Sequence, residues 1–310
     1  MRRIRRHGYT LIVFTLITGL GSGGCSVSRM AHRGVVANMV RGMSAYDRET
    51  DLELAESAAA GQLKLLEGLL ETDPDNSELL VLTAQGFARY TYGFVEPRVE
   101  DAAAAGDTLE QRRLSERAVS LYGRAQSYAV RALAKTNEPL AKAVGRNAEE
   151  LEQALQKAAE EDVPALFWLA FSGGNSVRLS GGNPHGLADL ARVSLIMRRV
   201  LKLDETYYFG GAHLFFGVYY SSLPALFGGD PAKARQHFAR AIEISEGRYL
   251  MARYLMARHY CALVLDEVSL RSELEDIIST PEDRYPQQNL ANQIAKQRAR
   301  RLLATVNPKP

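Results

Sequence analysis

The sequence predicts an all-α fold of about a dozen helices, and three observations support that prediction. Apolar residues recur at helical spacing along nearly the whole chain, whereas the alternating β-branched runs that are typical of strands are absent. Asn and Asp residues next to prolines separate these stretches, as helix starts favour. Examples of the apolar spacing are Leu63, Leu66 and Leu70, then Leu140, Val144, Leu151 and Leu155, and finally Leu290, Ile294 and Leu302.

The N-terminal residues have the order of a signal peptide, which is basic, then apolar, then small. Four arginines precede an apolar stretch from Leu11 to Leu20, and small residues then lead to Cys25. The apolar stretch is about half as long as the roughly 20 residues of a membrane-spanning helix, so a transmembrane anchor is the weaker interpretation. We expect residues 1–24 to be removed and residues 25–310 to form a single helical domain.

The small residues before Cys25 resemble a bacterial lipobox, in which the thiol is lipidated and the cysteine becomes the new N-terminus. Ser22 stands where leucine is usual, so cleavage to a soluble secreted form is the alternative. By the same resemblance, Ser26 after the cysteine favours the outer membrane. We therefore expect a periplasmic protein that is held at the membrane only by its lipid.

Charge and cysteine content argue against a nucleic-acid-binding protein and against a fold that is stabilised by disulfides. Residues 1–24 contain four arginines and no acids, so their removal changes the formal charge from +2 to −2. No basic stripe with interleaved aromatic residues remains to bind phosphates, which excludes a nucleic-acid partner. Cys261 is the only other cysteine, so lipidation of Cys25 would leave it without a disulfide partner. The fold must therefore be stabilised by its core.

Helical hairpins of the tetratricopeptide type are predicted, most clearly near residues 216–241. A first helix has the Leu-Gly-x2-Tyr pattern, and a second has the Ala-x3-Phe-x2-Ala pattern. These positions are held by Phe216, Gly217 and Tyr220 in the first helix and by Ala234, Phe238 and Ala241 in the second. The turn is about five residues longer than the standard one, because Leu223–Gly229 is inserted. The sequence therefore predicts degenerate repeats with enlarged turns.

Two fainter hairpins have the same build. One places Trp168 and Phe171 in its first helix and Ala191 and Leu195 in its second. The other pairs residues 80–92 with a helix through Ala118, Tyr122 and Ala125. Gly-Gly-Asx-Pro occurs at residues 181–184 and again at residues 228–231, which favours related turns in two of the three hairpins.

Two helix faces are candidate ligand-binding surfaces, because each combines aromatic rings with a polar group. The first face carries Trp168, Phe171 and Asn175, and the second carries His213, Phe216 and Tyr220 with Tyr219 beside it. Tyr219 and Tyr220 rank first as ligand contacts. The alternative is that these aromatic residues form hairpin cores and that His213 is a hydrogen-bonded residue of the interior.

No catalytic, metal or cofactor motif is recognisable in the sequence. The histidines lack the His-x3-His spacing that places two metal ligands on one helix face. Acidic pairs such as Glu149-Glu150 are adjacent, so on a helix they point about 100° apart, unlike opposed catalytic carboxylates. Nucleophile elbows, phosphate-binding loops and dinucleotide fingerprints are not found. The sequence therefore predicts a binding protein with no enzyme activity, metal or cofactor.

The signal peptide, the hairpins, the Gly-Gly-Asx-Pro turns and the C-terminal helix together resemble the T component (TatT) of TRAP transporters. The most specific pieces are residues 222–231 and the run Leu-Ala-Asn-Gln-Ile-Ala-Lys at residues 290–296. The resemblance covers nearly the whole chain.

That resemblance implies a periplasmic lipoprotein that forms a homotrimer and carries a channel or cleft in each protomer. It also implies docking to the periplasmic solute-binding protein of a TRAP transporter, which imports small organic anions or related solutes. We therefore expect a small, partly apolar ligand, the solute-binding protein, or both as partners. The alternative is a tetratricopeptide scaffold of the cell envelope that binds only other proteins.

Overall fold

This computed structural model describes residues 42–181 and 186–306, and the described residues contain thirteen α-helices between residues 52 and 306 and no strand. The predicted all-α fold with about a dozen helices is confirmed. The helices are α1 (Leu52–Thr72), α2 (Ser77–Tyr90), α3 (Glu96–Ala104), α4 (Thr108–Thr136), α5 (Glu138–Ala143), α6 (Ala148–Leu155), α7 (Val163–Leu179), α8 (Gly186–Leu203), α9 (Tyr207–Ser222), α10 (Pro231–Ile244), α11 (Leu250–Leu255), α12 (Glu267–Ser279) and α13 (Asn289–Val306).

The chain divides at Met43 into two units, and Ser44–Pro310 is the unit that contains these helices. Only the last two residues of the first unit are described. The signal peptide and the lipidation site at Cys25 fall outside the described residues, as do residues 182–184 of one Gly-Gly-Asx-Pro turn. These features therefore stay predictions.

Side-chain caps start several helices at the predicted breaks. Asn76 Oδ1 accepts a hydrogen bond from the backbone N–H of Leu79 at 3.0 Å, and Asn137 Oδ1 accepts one from Leu140 at 3.2 Å. Asp230 caps α10 in the same way. Each cap satisfies a donor that the first turn of a helix leaves unpaired. Three of the predicted breaks are thus confirmed as helix starts.

Neighbouring helices pack in pairs along most of the chain. Helix α1 packs on α2, α2 on α4, α4 on α7 and α7 on α8, after which α9 pairs with α10 and α12 with α13. At 29 residues, α4 is long enough to contact both α2 and α7. Its fully buried residues include Ala118, Tyr122 and Ala125, which were predicted to face a partner helix.

A close contact between a glycine and an aromatic ring holds the α9/α10 hairpin together. A Cβ atom on Gly217 would lie 2.6 Å from the ring of Phe238, so only glycine leaves room for the ring. Phe238, Ala234 and Ala241 are fully buried. The enlarged turn contains Gly228 at φ +94°, a left-handed conformation that glycine adopts without strain. The predicted pairing is confirmed, whereas the tetratricopeptide register stays a prediction.

The α7/α8 hairpin forms, but through different residues from those predicted. Ala191 is exposed, so the prediction that it faces α7 is wrong. Buried positions on α8 are instead Val193, Ile196 and Met197. A Cβ atom on Gly173 of α7 would lie 3.0 Å from Val193, so the close approach of the two helices occurs there. The contact face of α8 is therefore rotated away from Ala191.

Candidate functional site

A cavity of about 350 Å³ lies among α2, α3, α7, α9, α13 and the segment 249–259. This volume falls within the range of small-molecule sites in proteins. Aromatic rings and ion-paired side chains dominate its lining. The rings belong to Tyr46, Tyr92, Phe94, Phe167, Trp168, Phe171, Tyr208, Phe215, Tyr219 and Tyr249, and the charged side chains to Arg89, Glu96, Glu100, Arg178, Arg258 and Arg298.

Aromatic rings form one part of the wall through a series of edge-to-face contacts. The ring centroids of Phe167 and Trp168 are 5.0 Å apart, and those of Trp168 and Tyr208 are 4.7 Å apart. Phe171 contacts Tyr92 at 5.5 Å in the same geometry. Each such pair stabilises the fold by about 0.5–1.5 kcal/mol in addition to the effect of the buried surface area. The contacts therefore fix the orientation of the rings that line the cavity.

Five charged side chains form a continuous network on another part of the wall. Glu96 lies 2.6 Å from Arg178 and 3.4 Å from Arg298, while Glu100 lies 2.8 Å from Arg258 and 3.5 Å from Arg298. Three guanidinium groups thus share two carboxylates, which leaves a net charge of +1. Arg298 and Glu96 are almost completely buried and carry opposite charges, so the excess positive charge lies on the more exposed Arg178 and Arg258.

Arg89 is the fourth arginine of the lining, and it has its own counter-charge. Its guanidinium group forms an ion pair with Asp47 and lies 5.8 Å from the ring centroid of Tyr46. The unbalanced positive charge of the wall therefore belongs to the Glu96 and Glu100 network.

The polar neighbours of this network are neutral at neutral pH. Burial, and next the nearby arginines, lower the pKa of His259 to about 3. Burial raises the pKa of Tyr92 to about 12. Burial also acts to raise the pKa of Glu100, but the adjacent arginines outweigh it and hold that pKa below its usual value. The arginines and glutamates therefore set the charge of the wall.

Three irregular backbone segments border the cavity. π-Helical turns at Thr91–Val95 and Met256–Cys261 supply the lining residues Tyr92 and Arg258. Near the start of α9, the three residues Tyr208–Gly210 have φ values of 49°, 60° and 72°. This left-handed conformation costs about 1–2 kcal/mol for each residue other than glycine. π-Turns and strained residues cluster at functional sites, so these segments mark the cavity as the candidate site.

Four of the seven predicted ligand contacts line the cavity, namely Trp168, Phe171, Asn175 and Tyr219. The amide of Asn175 donates to the backbone carbonyl of Phe171 at 2.9 Å, and its oxygen accepts from Arg178 at 3.2 Å. The polar group predicted on this helix face is therefore already engaged in hydrogen bonds within α7. Contact of these four residues with a ligand stays a prediction.

The other three predicted contacts, His213, Phe216 and Tyr220, lie where α9 packs on α10 and are not among the lining residues. His213 hydrogen-bonds through Nδ1 to His237 at 2.9 Å and through Nε2 to Glu205 at 3.0 Å. The buried ring of Phe216 lies 5.3 Å from the ring of His237. This arrangement matches the alternative interpretation of His213 as a hydrogen-bonded residue of the interior.

Sequence reasoning misses the charged network because its members are far apart along the chain. Arg298 and Glu96 are separated by 202 positions, and each alone has the pattern of a solvated surface charge. One local signal was present: Glu96 and Glu100 are one turn apart on α3 and therefore share a face. That pair indicates an acidic face, but not the arginines that meet it.

Two kinds of site are not found among residues 42–181 and 186–306. No helix there combines the length and the apolar character needed to cross a bilayer. In the same residues, no cluster of three His, Cys, Asp or Glu side chains could hold a metal ion. Cys261 is buried and has a free thiol.

The fold and the site define a class of protein: an all-helical chain with a cavity whose wall is partly aromatic and partly cationic. More particularly, the chain belongs to the family described as TRAP transporter T-component, whose model matches residues 48–308. The resemblance seen in the sequence is thereby confirmed, and the protein is an accessory component of a TRAP transporter. Other transporter subunits are its expected partners. No curated protein is significantly similar to the chain in sequence.

Proposed function

We propose that the protein is a periplasmic accessory subunit that binds a small, partly apolar molecule and contacts the solute-binding subunit of a TRAP transporter. The cavity is the observation that carries the proposal, because aromatic rings and charged groups meet there in a volume suited to a small ligand. The two glutamates and all four arginines of its wall are engaged in ion pairs. Such groups suit binding without chemical conversion.

The enlarged turn between α9 and α10 is the proposed contact for the solute-binding subunit. Leu226 is 88% exposed and Phe227 is 54% exposed, although both are large apolar residues. Leu223, in the same turn, lines the cavity. A solute-binding subunit seated on this turn would therefore lie next to the ligand.

A matched pair of adjacent tyrosines tests the ligand proposal. Tyr219 lines the cavity, whereas Tyr220 stacks on His237 in the α9/α10 interface. Native mass spectrometry of the protein purified from its own cells should detect a retained small molecule. We expect Tyr219→Ala to lower that retention and Tyr220→Ala to leave it unchanged. If no small molecule is found and other envelope proteins co-purify instead, the scaffold function replaces this one.

A pull-down tests the partner proposal. The tagged protein should capture the periplasmic solute-binding subunit of a TRAP transporter that is expressed in the same cells. Absence of that subunit from the captured fraction, with both proteins present in the lysate, would refute the contact.

Lipidation of Cys25, attachment to the outer membrane and a homotrimeric state are further parts of the proposal. They are supported by the sequence around Cys25 and Ser26 and by the resemblance to the family. Cys25→Ser should move the protein from the outer-membrane fraction to the soluble periplasmic fraction. The native mass should equal three subunits, and a monomeric mass at micromolar concentration would contradict the trimer.

A further inference from the structure

We infer that the cavity takes a singly charged amphipathic anion, a carboxylic acid with an apolar body, and that its carboxylate binds Arg178 and Arg258. The inference rests on the proposed ligand-binding function and deepens it by naming the class of ligand and the residues that hold its charge. Three features of the wall support it: the charge balance, the unused hydrogen-bond donors and the arrangement of residues along α7.

The charge balance of the wall favours a ligand with one negative charge. The network of Arg178, Arg258 and Arg298 with two glutamates carries a net charge of +1, while Asp47 balances Arg89. The buried charges of Arg298 and Glu96 neutralise each other, so the excess positive charge lies on the partly exposed arginines of the cavity wall, where a ligand can reach it. A monoanion restores neutrality, whereas a dianion would leave an excess negative charge.

Two arginines that line the cavity keep unused hydrogen-bond donors. Among the described residues, Arg178 uses only Nη2, for Glu96 and Asn175, and Arg258 uses only Nη1, for Glu100 and a neighbouring tyrosine. The two side chains are 43% and 34% exposed, and both line the cavity. A guanidinium group donates two parallel hydrogen bonds to a carboxylate, so the free nitrogens suit this ligand group.

One face of α7 leads from the aromatic wall to the cationic network. Phe171, Gly174, Asn175 and Arg178 are spaced at i, i+3, i+4 and i+7, and all four line the cavity. Seven residues of helix rise by about 10 Å, which separates the aromatic ring from the guanidinium group. Gly174 faces the ring of Phe215, so the space beside this helix is apolar. A ligand along α7 would therefore meet rings at one end and cations at the other.

The volume limits the size of the ligand. The cavity volume of about 350 Å³ lies near the lower end of the range of small-molecule sites, which is about 300–1,000 Å³. An aromatic or medium-chain monocarboxylic acid fits that limit. Hydrocinnamate is a suitable probe, with hydrocinnamyl alcohol as its neutral analogue and phenylsuccinate as its dianionic analogue.

Binding of these probes to the purified full-length protein tests the inference. Trp168 is the only tryptophan of the chain and lines the cavity, so its fluorescence reports ligand entry, and isothermal titration calorimetry gives the affinity. At neutral pH and moderate salt, we expect hydrocinnamate to bind at least tenfold more tightly than either analogue. Equal affinities for the acid and the alcohol, tighter binding of phenylsuccinate, or no binding of any probe would overturn the inference.

Two substitutions with opposite charge effects separate electrostatics from damage to the fold. Arg178→Gln removes the net positive charge of the network and should weaken hydrocinnamate binding about tenfold or more. Glu100→Gln adds a unit of net positive charge and should tighten it several-fold, while both leave the affinity of the alcohol within about twofold. Arg112→Gln is the control, because Arg112 is 82% exposed and pairs only with Glu116. Circular dichroism checks that each variant folds.

Weaker binding of hydrocinnamate by both charge variants would overturn the electrostatic assignment, because a merely structural role predicts loss in both. Failure here is distinguishable from failure of the proposed function. If none of the probes binds but the solute-binding subunit is still captured, the ligand class is wrong and the accessory role stands. If neither probes nor the subunit bind, both proposals fail.

Discussion

Gly211→Ala should both destabilise the protein and narrow the cavity. An added Cβ atom would lie 2.5 Å from two ring carbons of Phe167, whereas carbon atoms in ordinary contact are about 3.5–4.0 Å apart. The ring is almost completely buried and packs against Trp168 at 5.0 Å and Tyr207 at 5.2 Å, so the new methyl group pushes it towards the cavity that it lines. Such overpacking costs about 1–3 kcal/mol.

The expected fall in the melting temperature follows from the size of the chain. Each kcal/mol corresponds to about 2–4 °C for a domain of roughly this size, which gives a decrease of about 2–12 °C. Gly211 and Phe167 both line the cavity, so the displaced ring should also weaken ligand binding. Differential scanning calorimetry measures the first effect, and titration with Trp168 fluorescence measures the second.

Two variants make this prediction specific. Gly123→Ala on α4 is the control, because no atom lies within 4 Å of the added Cβ position and alanine raises helix propensity by up to about 1 kcal/mol. Phe167→Leu in the Gly211→Ala background should recover part of the lost stability by making room for the methyl group. A Gly211→Ala protein with wild-type melting temperature and wild-type ligand binding would refute the reasoning.

Three further predictions concern the partner surface, acid sensitivity and the charged network. Replacing Leu226 and Phe227 together by Ser should reduce capture of the solute-binding subunit severalfold, whereas Leu109→Ser, at an equally apolar position that is 77% exposed, should not. The pKa of His259 is lowered to about 3 in the folded protein, whereas a histidine of the unfolded chain binds a proton near pH 6.5. Protonation therefore favours the unfolded chain, and the free energy of unfolding falls as the pH drops from about 6.5 towards 3. Denaturant unfolding at pH 7 and pH 5 should show a loss of stability to which both His259 and His237, whose pKa is lowered to about 4, contribute, and His259→Gln should make that loss about 2 kcal/mol smaller; an equal loss in that variant would contradict the assignment. Arg298→Met should cost about 1–3 kcal/mol in the same assay, because it leaves the part-buried backbone carbonyl of Tyr92 without its hydrogen bond, while Glu96 and Glu100 keep Arg178 and Arg258 as counter-charges. Unchanged stability would show that Arg298 is dispensable for the fold.

The helices themselves could be predicted because their signals are local. Spacing of apolar residues and caps such as Asn76 and Asp230 act within a few residues, so the sequence contains them directly. Which residues meet between two packed helices depends on both helices, so it cannot be predicted from one local segment. Ala191 fails as a contact because the shape of α7, with Gly173, brings Val193 into the interface instead.

The aromatic half of the candidate site could be predicted, whereas its charged half could not. Trp168 and Phe171 lie on one helix face, so their shared orientation follows from the helical period alone. The ion-paired half needs Arg258 and Arg298 to meet α3 from elements more than 150 positions away. Only the packing of the whole chain brings those charges together.

The backbone conformation at Tyr208–Gly210 connects the shape of the cavity with the stability of the fold. In a regular helix, successive side chains are rotated by about 100°, and left-handed dihedral angles at Tyr208 and Phe209 change that rotation at a cost of about 1–2 kcal/mol each. In return, Tyr208 meets Trp168 at 4.7 Å and Phe209 stacks on Tyr249 at 4.6 Å. Each contact contributes about 0.5–1.5 kcal/mol, so the rings offset most of the strain. Two helices can pack against each other without left-handed residues, so packing alone does not explain this cost. The strained turn is best explained by the cavity wall whose rings it positions.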